Sequence, residues 1–151
     1  MTTTVAVPPP VRNATYAVWA ILALGVLRTI LTVAFSDDLL DVWVNRNESS
    51  RALPRELAEY SAPAYSGVAI GVLVVFALLA VAALNLRKAA RWAQIVTIVF
   101  AALSLVGAVA ALITPTLPVL LIINIATGLL TIVVVVLLVT PTANRFFAKK
   151  S

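Results

Sequence analysis

The sequence predicts an all-α membrane protein: a four-transmembrane-helix bundle with short interfacial helices in its first extracytoplasmic loop. Composition is the first reason, because 62% of the 151 residues are hydrophobic and 11% are charged, whereas a soluble domain carries about 25% charged residues. The second is that four apolar stretches are long enough to cross a hydrocarbon core of roughly 30 Å. The third is that all eight prolines lie outside these stretches or at their ends and all five glycines lie inside them, since proline breaks helices and glycine allows close helix contact.

Residues 1–15 are expected to form a disordered cytoplasmic tail, because this segment is rich in threonine and contains three consecutive prolines. No charge occurs between Arg91 and Arg145, and a Thr-Pro-Thr-Leu-Pro segment at 114–118 divides this apolar stretch in two. The predicted transmembrane domain covers residues 16–140, and a basic cytoplasmic tail covers residues 141–151. The spans are predicted at about 16–35, 64–86, 92–113 and 118–140, with an outer loop at 36–63.

The distribution of basic residues predicts the orientation of the bundle. Seven of the eleven lie in the N-terminal tail, between the second and third spans, or after the fourth span. The opposite side carries three arginines together with all six acidic residues, namely Asp37, Asp38, Asp41, Glu48, Glu56 and Glu59. The positive-inside rule therefore places both termini in the cytoplasm and the acidic loop outside a plasma membrane.

The outer loop is predicted to hold two short helices at the membrane surface. Ser36 is a candidate cap for the first helix, at 37–44, because acidic residues favour its N-terminal dipole. Pro54 is a candidate start for the second helix, which would run to about Tyr60. We expect the loop either to be a solvated cover over the bundle or to bind a partner.

Each predicted span carries small or polar residues at helical spacing. Gly67 and Gly71 form a G-x-x-x-G pair in the second span and are candidate helix-contact residues. The third span has a similar stripe that includes Gln94 and Thr97. These stripes are expected to pack the helices together, and the alternative is that they line a pathway.

Arg28 is the one charged residue inside a predicted span. A guanidinium at mid-helix costs on the order of 3 kcal/mol, so its position needs an explanation. Counting residues from the span ends places it near the depth of Ser104 and Asn124, and we expect an intramembrane polar cluster of these three in the outer half. Either Arg28 extends outward and holds the loop through Asp37 or Glu59, or it binds an anion, a lipid headgroup or a partner's carboxylate.

The C-terminal segment is predicted to be an interfacial anchor. Pro141 ends the fourth span or starts a new turn. Phe146 and Phe147 would then enter the interface, while the neighbouring basic residues face anionic lipid.

Composition also limits the chemistry that the side chains of this protein can perform. The chain has no cysteine and no histidine, which excludes disulfides, thiolate and imidazole metal ligands, and the commonest general base. We identify no catalytic, cofactor-binding, metal-binding or nucleic-acid motif, and the expected surroundings are the lipid bilayer.

The sequence is interpreted as a non-enzymatic integral membrane protein that acts through helix packing and association. It would be an accessory subunit or an envelope scaffold, with a membrane-protein partner or as a homo-oligomer. The alternative is a small oligomeric transporter or channel in which Arg28 attracts an anion.

Four short motifs carry a family resemblance. They are the start of the third span (Arg91-Trp92-Ala93-Gln94-Ile95-Val96), the closing segment (Pro141-x-x-Asn144-Arg145-Phe146-Phe147), and two loop segments at 53–57 and 62–67. Together they resemble uncharacterised small four-transmembrane-helix membrane proteins of actinobacteria, which begin their third span with R-x-W-A-R. Gln94 replaces the second base of that motif. The resemblance implies an actinobacterial plasma membrane and no specific activity.

Overall fold

A computed structural model describes residues 6–46, 48–61, 65–114 and 116–148 of the chain. Within these ranges all regular structure is helical and no strand occurs. The helices are α1 (Pro9–Ala34), α2 (Ser36–Arg46), α3 (Glu48–Arg51), α4 (Arg55–Ser61), α5 (Tyr65–Leu86), α6 (Arg91–Ile113), α7 (Pro118–Val139) and α8 (Pro141–Ala148).

Four of these helices, α1, α5, α6 and α7, are long and apolar enough to cross a membrane. This confirms the predicted all-helical class with four potential spans. Helices α5, α6 and α7 lie almost where the second, third and fourth spans were predicted, because the prolines and charges between them mark their ends.

The start of α1 differs from the prediction. The helix begins at Pro9 instead of near residue 16, and the side chains of Val11 and Ala14 are completely buried. Prolines are tolerated in the first helical turn, where their missing N–H groups would have no helical partner anyway. The predicted disordered tail is therefore wrong for residues 9–15, and residues 1–5 lie outside the described part of the chain.

The four long helices form a ring. Helix α1 packs against α5 and α7, and α6 packs against the same two helices. Each helix therefore has two neighbours, and the centre of the ring is lined by all four.

The hydrophobic core fills the half of the ring that carries the chain termini. Alanines at the helix contacts are completely buried there, including Ala82, Ala83 and Ala93. Small side chains allow helix backbones to approach closely, which gains van der Waals contact where lipid offers no hydrophobic drive for association. This region is called the inner half below, and the opposite region the outer half, after the orientation that the basic residues of the sequence predict.

Helix α8 folds back onto the inner half and contacts α1, α6 and α7. The Thr140 hydroxyl accepts a hydrogen bond from the Ala143 N–H, and Pro141 opens the helix, a common start of a helix. Phe146 and Phe147 join the core, with Phe147 only 1% exposed. The prediction that these two rings enter the lipid interface is wrong, because α8 turns them towards the protein.

The outer loop holds three short helices in its described residues. Helix α2 contacts α1 and α3, and its Leu39 and Leu40 are buried. Asp41 of α2 and Arg55 of α4 form an ion pair at 3.6 Å, with both side chains exposed. Exposed pairs of this kind add little stability, whereas burial of Leu39 and Leu40 packs α2 into the protein.

Candidate functional site

The outer half of the bundle contains a cavity of about 100 Å³. Arg28, Ser104 and Asn124, the three residues predicted to form a polar cluster, all line it. They come from α1, α6 and α7, and Phe76 of α5 completes the wall. The remaining lining residues are Gly25, Gly107, Ala108 and Thr127.

The depth of the cavity follows from helix geometry. Arg28 lies six residues before the end of α1, and Asn124 six residues after the start of α7. At the rise of an α-helix both are about 9 Å from the outer helix ends. Ser104 lies nine residues before the end of α6, or about 13 Å deep. The cavity therefore reaches from the outer third of the bundle towards its middle.

Arg28 lines the cavity while its side chain stays exposed. Among the described residues, no acidic side chain forms an ion pair with it, and the ion pair found there joins Asp41 and Arg55. The structure thus gives no support for a link from Arg28 to Asp37. The side chain of Glu59, the other predicted partner, lies outside the described part of the chain.

The polar groups of the wall are mostly hydrogen-bond donors or can act as donors. The Arg28 guanidinium presents five N–H donors, the Asn124 amide presents two, and the Ser104 hydroxyl presents one. Asn124 is buried and Ser104 is half-buried. Among the described residues no aspartate or glutamate lines the cavity, so this part of the wall offers positive charge and donors without a competing carboxylate.

The cavity exists because α6 presents small side chains to the middle of the ring. Gly107 is exposed and lines the cavity, and a Cβ atom added there would meet nothing within 4 Å. On the opposite wall Gly25 is tightly covered, since an added Cβ would overlap the Phe76 ring. Gly25 therefore forms a closely packed part of the cavity wall, whereas Gly107 forms a part without near neighbours.

The predicted contact glycines of the second span lie on an exposed face of α5 in the described part of the chain. Gly67 and Gly71 are both exposed, and a Cβ at Gly71 would meet nothing within 4 Å. The close contacts are made by Gly25, against Phe76, and by Gly128, whose added Cβ would lie 3.2 Å from the Ala108 Cβ. Gly25 lies three residues from Arg28, and Gly128 four residues from Asn124, so each glycine shares a helix face with a residue that lines the cavity. This spacing is the signal in the sequence that points to the two contacts.

A second polar arrangement, which sequence reasoning missed, joins three helices of the inner half. The Gln94 side-chain N–H group donates to the Leu138 carbonyl at 2.9 Å and to the Asn144 Oδ1 at 2.8 Å. Asn144 in turn donates to the Val139 carbonyl at 3.1 Å. Gln94 is buried, so these bonds satisfy its side-chain N–H donors and fix the end of α7 and α8 against α6.

No group of three or more histidine, cysteine, aspartate or glutamate side chains that could hold a metal occurs among the described residues. No family model, curated protein or solved structure shows significant similarity to the chain. The resemblance to actinobacterial four-span proteins therefore stays a prediction from short motifs.

Proposed function

We propose that this chain is a multi-pass plasma-membrane protein, with both termini in the cytoplasm, that binds a small anionic group in the outer cavity without catalysing a reaction. The supporting observation is that Arg28, Ser104 and Asn124, from three different helices, line one cavity. A charge inside a span is costly, and such charges commonly mark binding sites.

The chemistry of the wall favours an anion with several acceptor oxygens. A guanidinium binds phosphate or carboxylate through two parallel hydrogen bonds. The neighbouring amide and hydroxyl could donate to further oxygens. A phosphate group fits this description, whether it comes from free phosphate or from a phospholipid headgroup.

The packing of the inner half supports binding rather than conduction by a single chain. The core cluster includes completely buried residues of α1, α5, α6, α7 and α8. Close-packed interiors of this kind leave few voids larger than a water molecule. An anion that enters the cavity from outside would meet this core as a barrier.

Thermal unfolding in a neutral detergent at constant ionic strength tests the proposal. Inorganic phosphate and phosphatidylglycerol are added separately, and binding of either to the folded state raises the melting temperature. We expect Arg28→Gln to abolish the rise and Arg46→Gln, at an exposed arginine of α2, to retain it.

The separate additions of inorganic phosphate and of phosphatidylglycerol distinguish the two possible sources of the anion. A rise with inorganic phosphate supports a soluble anion, whereas a rise with the lipid alone supports a headgroup. No rise with either addition, or a rise that survives Arg28→Gln, contradicts the proposal.

We also propose, as a second candidate function, that α5 associates with another membrane helix, either of a partner subunit or of a second copy. The supporting observation is that Gly67 and Gly71 are exposed and that space surrounds Gly71. Co-purification from a mild detergent should yield an oligomer or a stable partner, and Gly71→Leu should remove it. A strictly monomeric particle without a partner contradicts this candidate.

A further inference from the structure

Two exposed arginines and a tyrosine lie together at the inner ends of α1 and α5. The guanidinium carbon of Arg87, which directly follows α5, lies over the Tyr16 ring at 5.4 Å from its centroid. Arg12 lies four residues before Tyr16 and therefore on the same face of α1. All three side chains are exposed. Arg12, Tyr16 and Arg87 are called the inner cluster below.

The position of Arg87 is fixed by the turn between α5 and α6. The Ala89 N–H group donates to the Leu86 carbonyl at 3.2 Å. The Ala90 N–H group donates to the Asn85 carbonyl at 3.4 Å, and the two bonds together form a pattern that commonly ends a helix. Ala89 has a φ of 58°, a left-handed conformation for which glycine is usual. Because Ala89 is 3% exposed and belongs to the core, core packing holds the turn that presents Arg87.

The inner cluster has no acidic side chain near it. All six acidic residues of the chain lie between positions 37 and 59, in the loop at the opposite end of the bundle. A cation over an aromatic face is stabilised, but a guanidinium has five N–H donors, and the ring offers none of them a charged acceptor. Further basic residues lie at the same end of the bundle, namely Lys88, Arg91 and Arg145. This end of the protein is therefore complementary to an anion from outside the chain.

The side chains next to the inner cluster favour a lipid as the source of that anion. Trp19 lies three residues after Tyr16 on α1, and Leu84 lies three residues before Arg87 on α5. Their side chains are 43% and 58% exposed, so an apolar surface continues from the cluster towards the middle of the two helices. Acyl chains of a phospholipid pack against such a surface, whereas a soluble anion gains nothing from it. Basic sites between transmembrane helices bind lipid headgroups in this way.

We propose that the inner cluster binds a phospholipid whose headgroup carries two phosphates, with Arg12 and Arg87 each binding one of them. A guanidinium binds one phosphate through two parallel hydrogen bonds. Once the first phosphate is bound, the glycerol bridge of the headgroup holds the second at a high effective concentration near the other arginine. A lipid with a single phosphate lacks this gain and binds more weakly.

Native mass spectrometry of the full chain carrying Arg28→Gln, in a neutral detergent, tests the proposal without a contribution from the outer cavity. The probes are diphosphatidylglycerol, with two phosphates, and phosphatidylglycerol, with one. Phosphatidylcholine, which has no net charge, is the reference. We expect diphosphatidylglycerol to bind on the order of tenfold or more tightly than phosphatidylglycerol. Arg12→Gln and Arg87→Gln, each added to this background, should weaken its binding about fivefold.

Arg145→Gln is the matched control, because it removes an exposed arginine of α8 from the same end of the bundle. It should weaken the binding of diphosphatidylglycerol much less than Arg12→Gln or Arg87→Gln. Equal losses in the three arginine variants would overturn the proposal, since net charge alone would then explain the binding. Equal affinities for the lipids with one and with two phosphates would overturn it as well.

Two changes at Tyr16 test whether the ring positions Arg87. Tyr16→Phe keeps the aromatic face and should retain the binding of diphosphatidylglycerol, whereas Tyr16→Leu should weaken it as Arg87→Gln does. Retention of full affinity in Tyr16→Leu would contradict a site built around this ring. Every variant in this series carries Arg28→Gln, so the outcome is independent of phosphate binding in the outer cavity.

Discussion

The inner half of the bundle is closely packed, whereas the outer half contains a cavity. In the inner half, α8 folds back over the ring, and Gln94 bonds to the last turn of α7 and to Asn144. In the outer half the ring stays open around the Arg28 cavity. The side chains at the helix contacts are small in both halves, so residue size alone does not decide whether a region is filled.

The difference comes from what lies opposite the small residues. Ala82 and Ala83 of α5 are completely buried, and the rings of α8 add bulk to the same core. Ser104 and Gly107 of α6 line the Arg28 cavity, and a Cβ atom added at Gly107 would meet nothing within 4 Å. The inner half is therefore the more closely packed, and the outer half holds the cavity in which we propose that an anion binds.

Loss of an inner ring should have the largest effect. Phe147→Ala removes a side chain that is 1% exposed within the core, and we expect a loss of about 3–5 kcal/mol in the free energy of unfolding. Phe35→Ala, at the outer end of α1 and 39% exposed, should lose far less. Denaturation in mixed micelles measures both, and equal losses would show that the inner half is not the better packed region.

Overfilling the wall of the outer cavity should have an intermediate effect. Gly25→Ala places a methyl group against the Phe76 ring, and we expect destabilisation of about 1–3 kcal/mol from overpacking. Gly71→Ala, whose added Cβ meets nothing within 4 Å, should leave stability nearly unchanged. The comparison fails if the two alanine variants unfold at the same denaturant concentration.

The bonds of Gln94 should contribute the smallest of these effects. Gln94→Met keeps the length of the side chain and removes its hydrogen bonds to the Leu138 carbonyl and to Asn144. We expect a loss of about 1–2 kcal/mol, reduced when Asn144→Ala is already present because the two residues are coupled. Independent losses in the double variant would show that the amides do not act together.

Much of the fold could be predicted from the sequence because lipid imposes simple constraints. Long apolar stretches must satisfy their backbone groups internally, which leaves helices as the solution for four spans. Counting residues at a fixed rise also placed Arg28, Ser104 and Asn124 at similar depth, and all three line the cavity.

The predictions that were wrong concern segments whose local sequence is compatible with two different structures. The consecutive prolines at 8–10 predicted a disordered tail, but prolines are compatible with the first turn of a helix, and α1 begins at Pro9. The Thr140-Pro141 start of α8 is readable in the sequence, yet the direction in which α8 turns is set by packing on the core. The pairing of Gln94 with Asn144 depends on that same turn, because the two residues are far apart in the sequence.

Accessibility of a single cysteine at Ser104 tests most directly whether the cavity opens to the outside. The chain contains no cysteine of its own, and a thiol reacts as the thiolate, which forms in water and not in lipid. A small membrane-impermeant thiol reagent should modify Ser104→Cys from the outer side, but not the inner-half variant Ala83→Cys or the neighbouring exposed variant Leu103→Cys. Modification of Ser104→Cys from the cytoplasmic side alone, or equal modification of all three variants, would contradict an outer cavity above a closed inner half.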